Sequence, residues 1–139
     1  MSDLAAPVIP EQDVLVYVMV SVSAVDRDMG EGETLRIGNI AKTLPVFDGY
    51  TDAKLMEAAK ACRDILQEDE GLRTVLALAG KLPRNLRHTA YALAAEIAAA
   101  DLTVTPEEVR FLQLLRTELR LERLDTVALE RAAWARHQR

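Results

Sequence analysis

The sequence predicts an all-α fold, a compact bundle of about seven helices with an internal two-fold duplication. It reads as one domain with a core from roughly 11 to 137. Three observations lead there. From Glu33 onward, apolar residues recur at spacings of three and four, the period of a helix buried along one face. Proline and glycine cut that pattern into helix-length pieces with short connections. The second half also repeats part of the first at an offset of 75 positions.

The first apolar run is the ambiguous one. Val14, Val16, Val18, Val20 and Val22 alternate as in a strand, and valine favours strands. Leu15, Tyr17 and Met19 between them are apolar too, so the alternation separates no wet face from a dry one. No later segment offers a β-rich partner, and a lone strand leaves its backbone unpaired. A helix is therefore expected. The next runs from Glu33 to Leu44, with Leu35, Ile37, Ile40, Ala41 and Leu44 inward, and is stopped by Pro45. Asp52 is the expected N-cap of a helix reaching about Glu68, with Leu55, Ala58, Ala59, Cys62, Ile65 and Leu66 inward. A shorter helix spans Gly71 to Leu82 and ends before Pro83. Asn85 to about Ala100 is alanine-rich, with Leu86, Ala90, Leu93, Ala94 and Ile97 on one stripe. Pro106 opens the sixth helix, with Leu112, Leu115 and Leu119 in register. The last runs near Leu124 to Arg136 and presents Val127, Ala128 and Trp134, with Trp134 expected in the core.

The repeat aligns Ala24-Val25-Asp26 with Ala99-Ala100-Asp101. It also sets Glu33 on Glu108, Ile37 on Leu112, Ile40 on Leu115 and Leu44 on Leu119. Both halves then read as an apolar helix, an aspartate, a short loop, a glutamate seven residues on, and a second apolar helix.

Bulk composition narrows the function. The chain has 139 residues, 50% hydrophobic and 28% charged, a globular balance. A net charge of −5 and the lack of a basic stripe argue against nucleic acid as a partner. The single cysteine, Cys62, excludes an internal disulfide and a cysteine-built zinc site, and its inward position suggests packing rather than redox chemistry. The start of the chain lacks the basic region of a secretory signal. The run from Val14 to Val25 is too short to span a bilayer, so no membrane insertion is expected. A cytoplasmic, bacterial or archaeal protein, monomeric or weakly dimeric and with an unknown protein partner, is the expectation. No glycine-rich phosphate loop, nucleophile elbow or paired cysteine motif occurs, and neither His88 nor His137 has an evident nucleophile partner. No catalytic residue is expected.

The acidic loops carry the chemistry. Asp26, Asp28, Glu31 and Glu33 lie within eight residues, with Gly30 and Gly32 to let the backbone turn. Oxygen ligands without histidine or cysteine suit hard cations, calcium or magnesium. Counting twelve positions from either aspartate reaches Ile37 or Leu112, so neither loop is an EF-hand. A bland reading stands beside this one. Thr105-Pro106-Glu107-Glu108 is a capping box, and acids in a first helical turn gain from the helix dipole. Asp26 and Asp101 are different, because each falls near a helix C-terminus, where negative charge is unfavourable. A local rule broken twice at equivalent places points to a task.

This pattern, an apolar helix followed by Asp26-Arg27-Asp28 with Glu33, and again Asp101-Leu102-Thr103 with Glu108, resembles the TerB family of tellurite-resistance proteins. The resemblance covers roughly Val14 to Trp134. It implies a duplicated seven-helix bundle whose acidic residues bind divalent cations within a bacterial stress response. Arg27 and Leu102 stand where the family often has glycine, and Thr103 replaces an acid, so the second loop is the weaker site. Tellurite is itself an oxyanion, which carboxylates repel, so direct binding of it is not expected. The expected function is a non-enzymatic divalent-cation-binding domain. Its metal ligands are Asp26, Asp28 and Glu33, with Glu31 available, and Asp101 and Glu108 in a second or shared site. The alternative is an acidic interaction surface that docks a basic partner without metal; a metal-dependent hydrolase using the same carboxylates is a third reading.

Overall fold

The computed structural model describes residues 8–25, 31–100 and 104–139. Seven α-helices fill them: α1 (Glu11–Ala24), α2 (Glu31–Ala41), α3 (Asp52–Leu66), α4 (Gly71–Gly80), α5 (Arg84–Ala99), α6 (Pro106–Leu119) and α7 (Arg123–Arg136). A short 3-10 turn at Pro45–Phe47 joins α2 to α3, and no strand occurs among the described residues. None of these helices is long and apolar enough to cross a membrane.

α1 is the axis of the bundle. Every residue from Val14 to Ser23 is buried, on all sides of the helix. The surrounding α2, α3, α4, α5 and α6 all pack against it. A helix apolar all round has no solvent face to turn outward, so the fold places it in the centre. Alternating valines meet that need as well as any helical stripe does, because here neither parity faces water. Burying each of these side chains contributes roughly 1.5–3 kcal/mol. The start of α1 is tied to the turn after α2: the Tyr50 hydroxyl donates to Asp13 at 2.6 Å, and Gln12 Nε2 donates to the Val46 carbonyl at 2.8 Å.

Several helix ends differ from the sequence expectation, each for a local reason. α2 stops at Ala41 rather than Leu44, because Leu44 precedes a proline and takes an extended conformation, φ −113° and ψ 136°. Thr51, not Asp52, caps α3: its hydroxyl accepts from the Lys54 N–H at 3.1 Å, which leaves Asp52 in the first turn, where its charge suits the dipole. α3 ends at Leu66 and α4 begins at Gly71 so close behind that a Cβ on Gly71 would lie 2.1 Å from the Ile65 carbonyl oxygen. Only glycine fits that approach. The capping box at the start of α6 forms as expected, the Glu108 N–H donating to Thr105 Oγ1 at 3.1 Å and the Thr105 N–H to Glu108 Oε1 at 3.0 Å. Arg120 ends α6 in the left-handed region at φ 58°.

Leu35 and Trp134, expected inward, are 68% and 53% exposed, and Ala128 is exposed as well. Their neighbours explain it. α2 is an outer helix that buries Ile37, Gly38 and Ala41 toward α1 and α3, a stripe too narrow to include Leu35. α7 lies on the outside against α5, burying Ala133 and Thr126, which turns Trp134 to the edge of their contact.

α7 runs parallel to α5, fastened by polar pairs in order along both: His88 with Asp125, Tyr91 with Glu130, and Glu96 with Arg136 and His137. α1 and α5 end at Ala24 and Ala99, and α2 and α6 begin at Glu31 and Pro106, each pair 75 positions apart. α1 packs on α2 and α3, and α5 on α6 and α7.

Candidate functional site

Asp26, Asp28 and Asp101, with the side chain of Glu31, lie outside the described residues. The flanks of both acidic segments are described. Ala24 and Val25, at the end of α1, line a cavity of about 500 Å³ together with Pro106, Glu107 and Arg110 at the start of α6. Phe111, Leu114, Leu66 and Leu72 complete its apolar wall. The chain thus enters the first acidic segment and leaves the second beside one cavity. Among the described residues Arg110 is the one cation on that wall, and it disfavours a metal ion deep inside the cavity.

The two predicted ligands that are described play different parts. Glu33, in the first turns of α2, lies 3.4 Å from Arg36 one turn on. Glu108 is only 3% exposed and spends one carboxylate oxygen on the Thr105 N–H. That bond satisfies an orphan donor at the start of α6. Among the described residues no three histidine, cysteine, aspartate or glutamate side chains converge as metal ligands.

A larger concavity lies elsewhere. Between α5, α6 and α7 is a groove of about 670 Å³, in the size range of small-molecule sites. Its floor is Ala95, Ala98 and Ala99 of α5; Val104, Val109 and Leu112 form one wall, and Val127, Trp134 and Ala135 the other. Polar groups gather toward one end. The Tyr91 hydroxyl donates to Glu130, and Arg116 and Arg123 stand close enough to act electrostatically on the phenol. Burial, and then the Glu130 bond, push the Tyr91 pKa well above the usual phenol value, so the ring keeps its proton. Sequence reasoning missed this groove. The readable signal was an alanine stripe on α5 opposite a helix whose one tryptophan has only polar residues, Glu130, Arg131, His137 and Gln138, one turn away on either side.

The remaining titratable groups are structural. Cys62 is buried, its Sγ 3.5 Å from the Tyr17 carbonyl oxygen and 3.8 Å from Ser21 Oγ. Burial pushes its thiol up to about 12, the opposite of the lowered pKa that a reactive thiol needs. His88 and His137 each pair with a carboxylate across the α5–α7 contact, and no nucleophile adjoins either pair. No known family model matches the chain, and no curated protein or solved structure matches it either.

Proposed function

We propose that the chain is a TerB-like, non-enzymatic helical domain that binds a divalent cation, calcium or magnesium, through its two acidic segments, in tellurite resistance or a related bacterial stress response. The observation that carries this reading is the shared cavity, whose rim holds Ala24 and Val25 just before Asp26 and Pro106 just after the Asp101 segment. A cation shared by carboxylates of the two segments would relieve their mutual repulsion while adding ligation. The helix ends that recur 75 positions apart support the internal duplication on which the second site depends. Within this reading Asp26 and Asp28 are the principal ligands, with Glu31 and Glu33 beside them. Glu108, whose carboxylate also caps α6, and Asp101 form the second or shared site. Stress association rests on the family resemblance alone.

Calorimetric titration with calcium and with magnesium at one fixed ionic strength tests it. Saturable binding with a rise in melting temperature is expected, since the ion binds the folded state. Asp26→Asn with Asp28→Asn abolishes both effects, and Asp101→Asn weakens binding less, because the second segment carries Thr103 where the first carries a charge. A double variant that still binds like the parent overturns the assignment. Absence of any cation response favours the acidic surface as a docking site for a basic protein.

A further inference from the structure

We propose that the groove between α5, α6 and α7 binds an aliphatic carboxylate, a fatty acid of medium chain length, with its head at Arg116 and Arg123 and its chain lying toward Trp134. Binding here does not rest on cation binding by the acidic segments, although Ala99 and Val104 of the lining flank the second of them.

The groove has a charged end and an apolar end. α5 and α6 run antiparallel, which sets Tyr91 beside Arg116 and Ala99 beside Val104, while α7 runs with α5 from Arg123 to Trp134. Arg116, Arg123, Glu130 and Tyr91 therefore share one end, and Ala98, Ala99, Val104, Val109 and Trp134 the other. From Val109 to Arg116 is ~10 Å at the helical rise, the span of an extended chain of about eight to ten carbons.

Charge chooses the head group. The protein carries net charge −5, yet among the described residues this lining holds Arg116, Arg123 and Arg131 against one acid, Glu130. Glu130 is occupied by the Tyr91 hydroxyl. Among the described residues none of the three arginines makes an ion pair or a side-chain hydrogen bond. Two guanidinium groups at the mouth of an apolar slot suit a planar carboxylate, which each can hold in a bidentate fork. The alanine floor is itself buried, so a chain of methylene groups lies over it against the exposed Val104, Val109 and Trp134.

Trp134, the only tryptophan and on the rim at the apolar end, reports occupancy directly. The full-length chain is titrated with decanoate, decanol and decyltrimethylammonium below their micelle concentrations, with tryptophan fluorescence and calorimetry as readouts. Decanoate is expected to give a saturable blue shift, with decanol about tenfold weaker and the cation inert. Each methylene added from hexanoate to decanoate tightens binding about fourfold. Arg116→Gln with Arg123→Gln removes the preference for decanoate over decanol while helical circular dichroism is unchanged. Ala135→Leu, which narrows the groove from its α7 wall, weakens every chain longer than hexanoate and leaves the head-group preference in place. Equal binding of all three probes, or no saturable change with decanoate, overturns the proposal. So does tighter binding of decyl phosphate, or a concentration-dependent dimer that buries Trp134 without ligand.

Discussion

α1 and α5 sit side by side, end 75 positions apart in the chain, and meet different fates. α1 is built of valine, leucine, tyrosine and methionine, and its five helical neighbours cover every face from Val14 to Ser23. α5 is built largely of alanine, and where its Ala95, Ala98 and Ala99 face α6 and α7 a groove of about 670 Å³ remains. Helix position is alike in the two cases and side-chain volume is not. Protein interiors pack to crystal-like density only where side chains reach one another; Ala95 and Ala99 pack on Ala133, and the groove remains beside them, between the larger side chains of α6 and α7. One region of this molecule is filled by its own side chains, and the other keeps a groove.

The comparison breaks most visibly with a charge. Val18→Asp puts an unpaired carboxylate where exposure is 0%, at a penalty of several kcal/mol against a total stability of ~5–15 kcal/mol. No cooperative thermal transition is expected. Val109→Asp, at the groove wall, keeps the fold, and its melting temperature shifts by only a few degrees. Similar melting curves for the two variants would remove the distinction.

Alkaline pH probes the filled region through Cys62. Its thiol titrates near 12 in the fold and near 9.0 when free. The unfolded chain ionises first, so the stabilisation is intact below pH 9.0 and is lost as pH climbs toward 12, at about 1.4 kcal/mol per pH unit for one group. Tyr17, Tyr50 and Tyr91 shift in the same direction and extend the loss above pH 10. Urea midpoints measured from pH 8 to 11 should fall from about pH 9, and in Cys62→Ala the fall begins about one unit later. A flat midpoint in the parent contradicts the buried thiol.

The smallest effect is the sharpest comparison. Ala59→Leu overfills the packed region between α3 and its neighbours, costing about 1–3 kcal/mol. Ala135→Leu makes the same chemical change at an exposed position on the groove wall and costs less than about 1 kcal/mol. Urea unfolding of both variants decides it, and equal losses would mean the groove closes in solution.

Much of this architecture was legible from period and punctuation. The capping box of Thr105 and Glu108 and the inward Leu86, Ala90, Leu93, Ala94 and Ile97 follow from residue type and spacing alone. Leu35 and Trp134 were misplaced because periodicity gives a face its direction but says nothing about whether a neighbour exists to cover it. α2 and α7 are outer helices, and that is a property of the assembly rather than of either segment. The α5–α7 groove stayed hidden for the same reason: it is made by what three helices fail to fill. Of the candidate cation site, only the parts played by Glu33 and Glu108 are described, one beside Arg36 and the other in a helix cap.

The position of α1 at the centre has a consequence for synthesis on the ribosome. Sixty residues separate the end of α1 at Ala24 from the start of α5 at Arg84, about 3–12 s of translation at ~5–20 residues per second. Through that interval the stretch Val14 to Val22 has left or is leaving the exit tunnel without its full set of covering helices. It holds no charge and no proline, and its alternating valines are the composition from which cross-β aggregates nucleate. The segment that secures the finished bundle is therefore a liability of the nascent chain until its covering helices have been made.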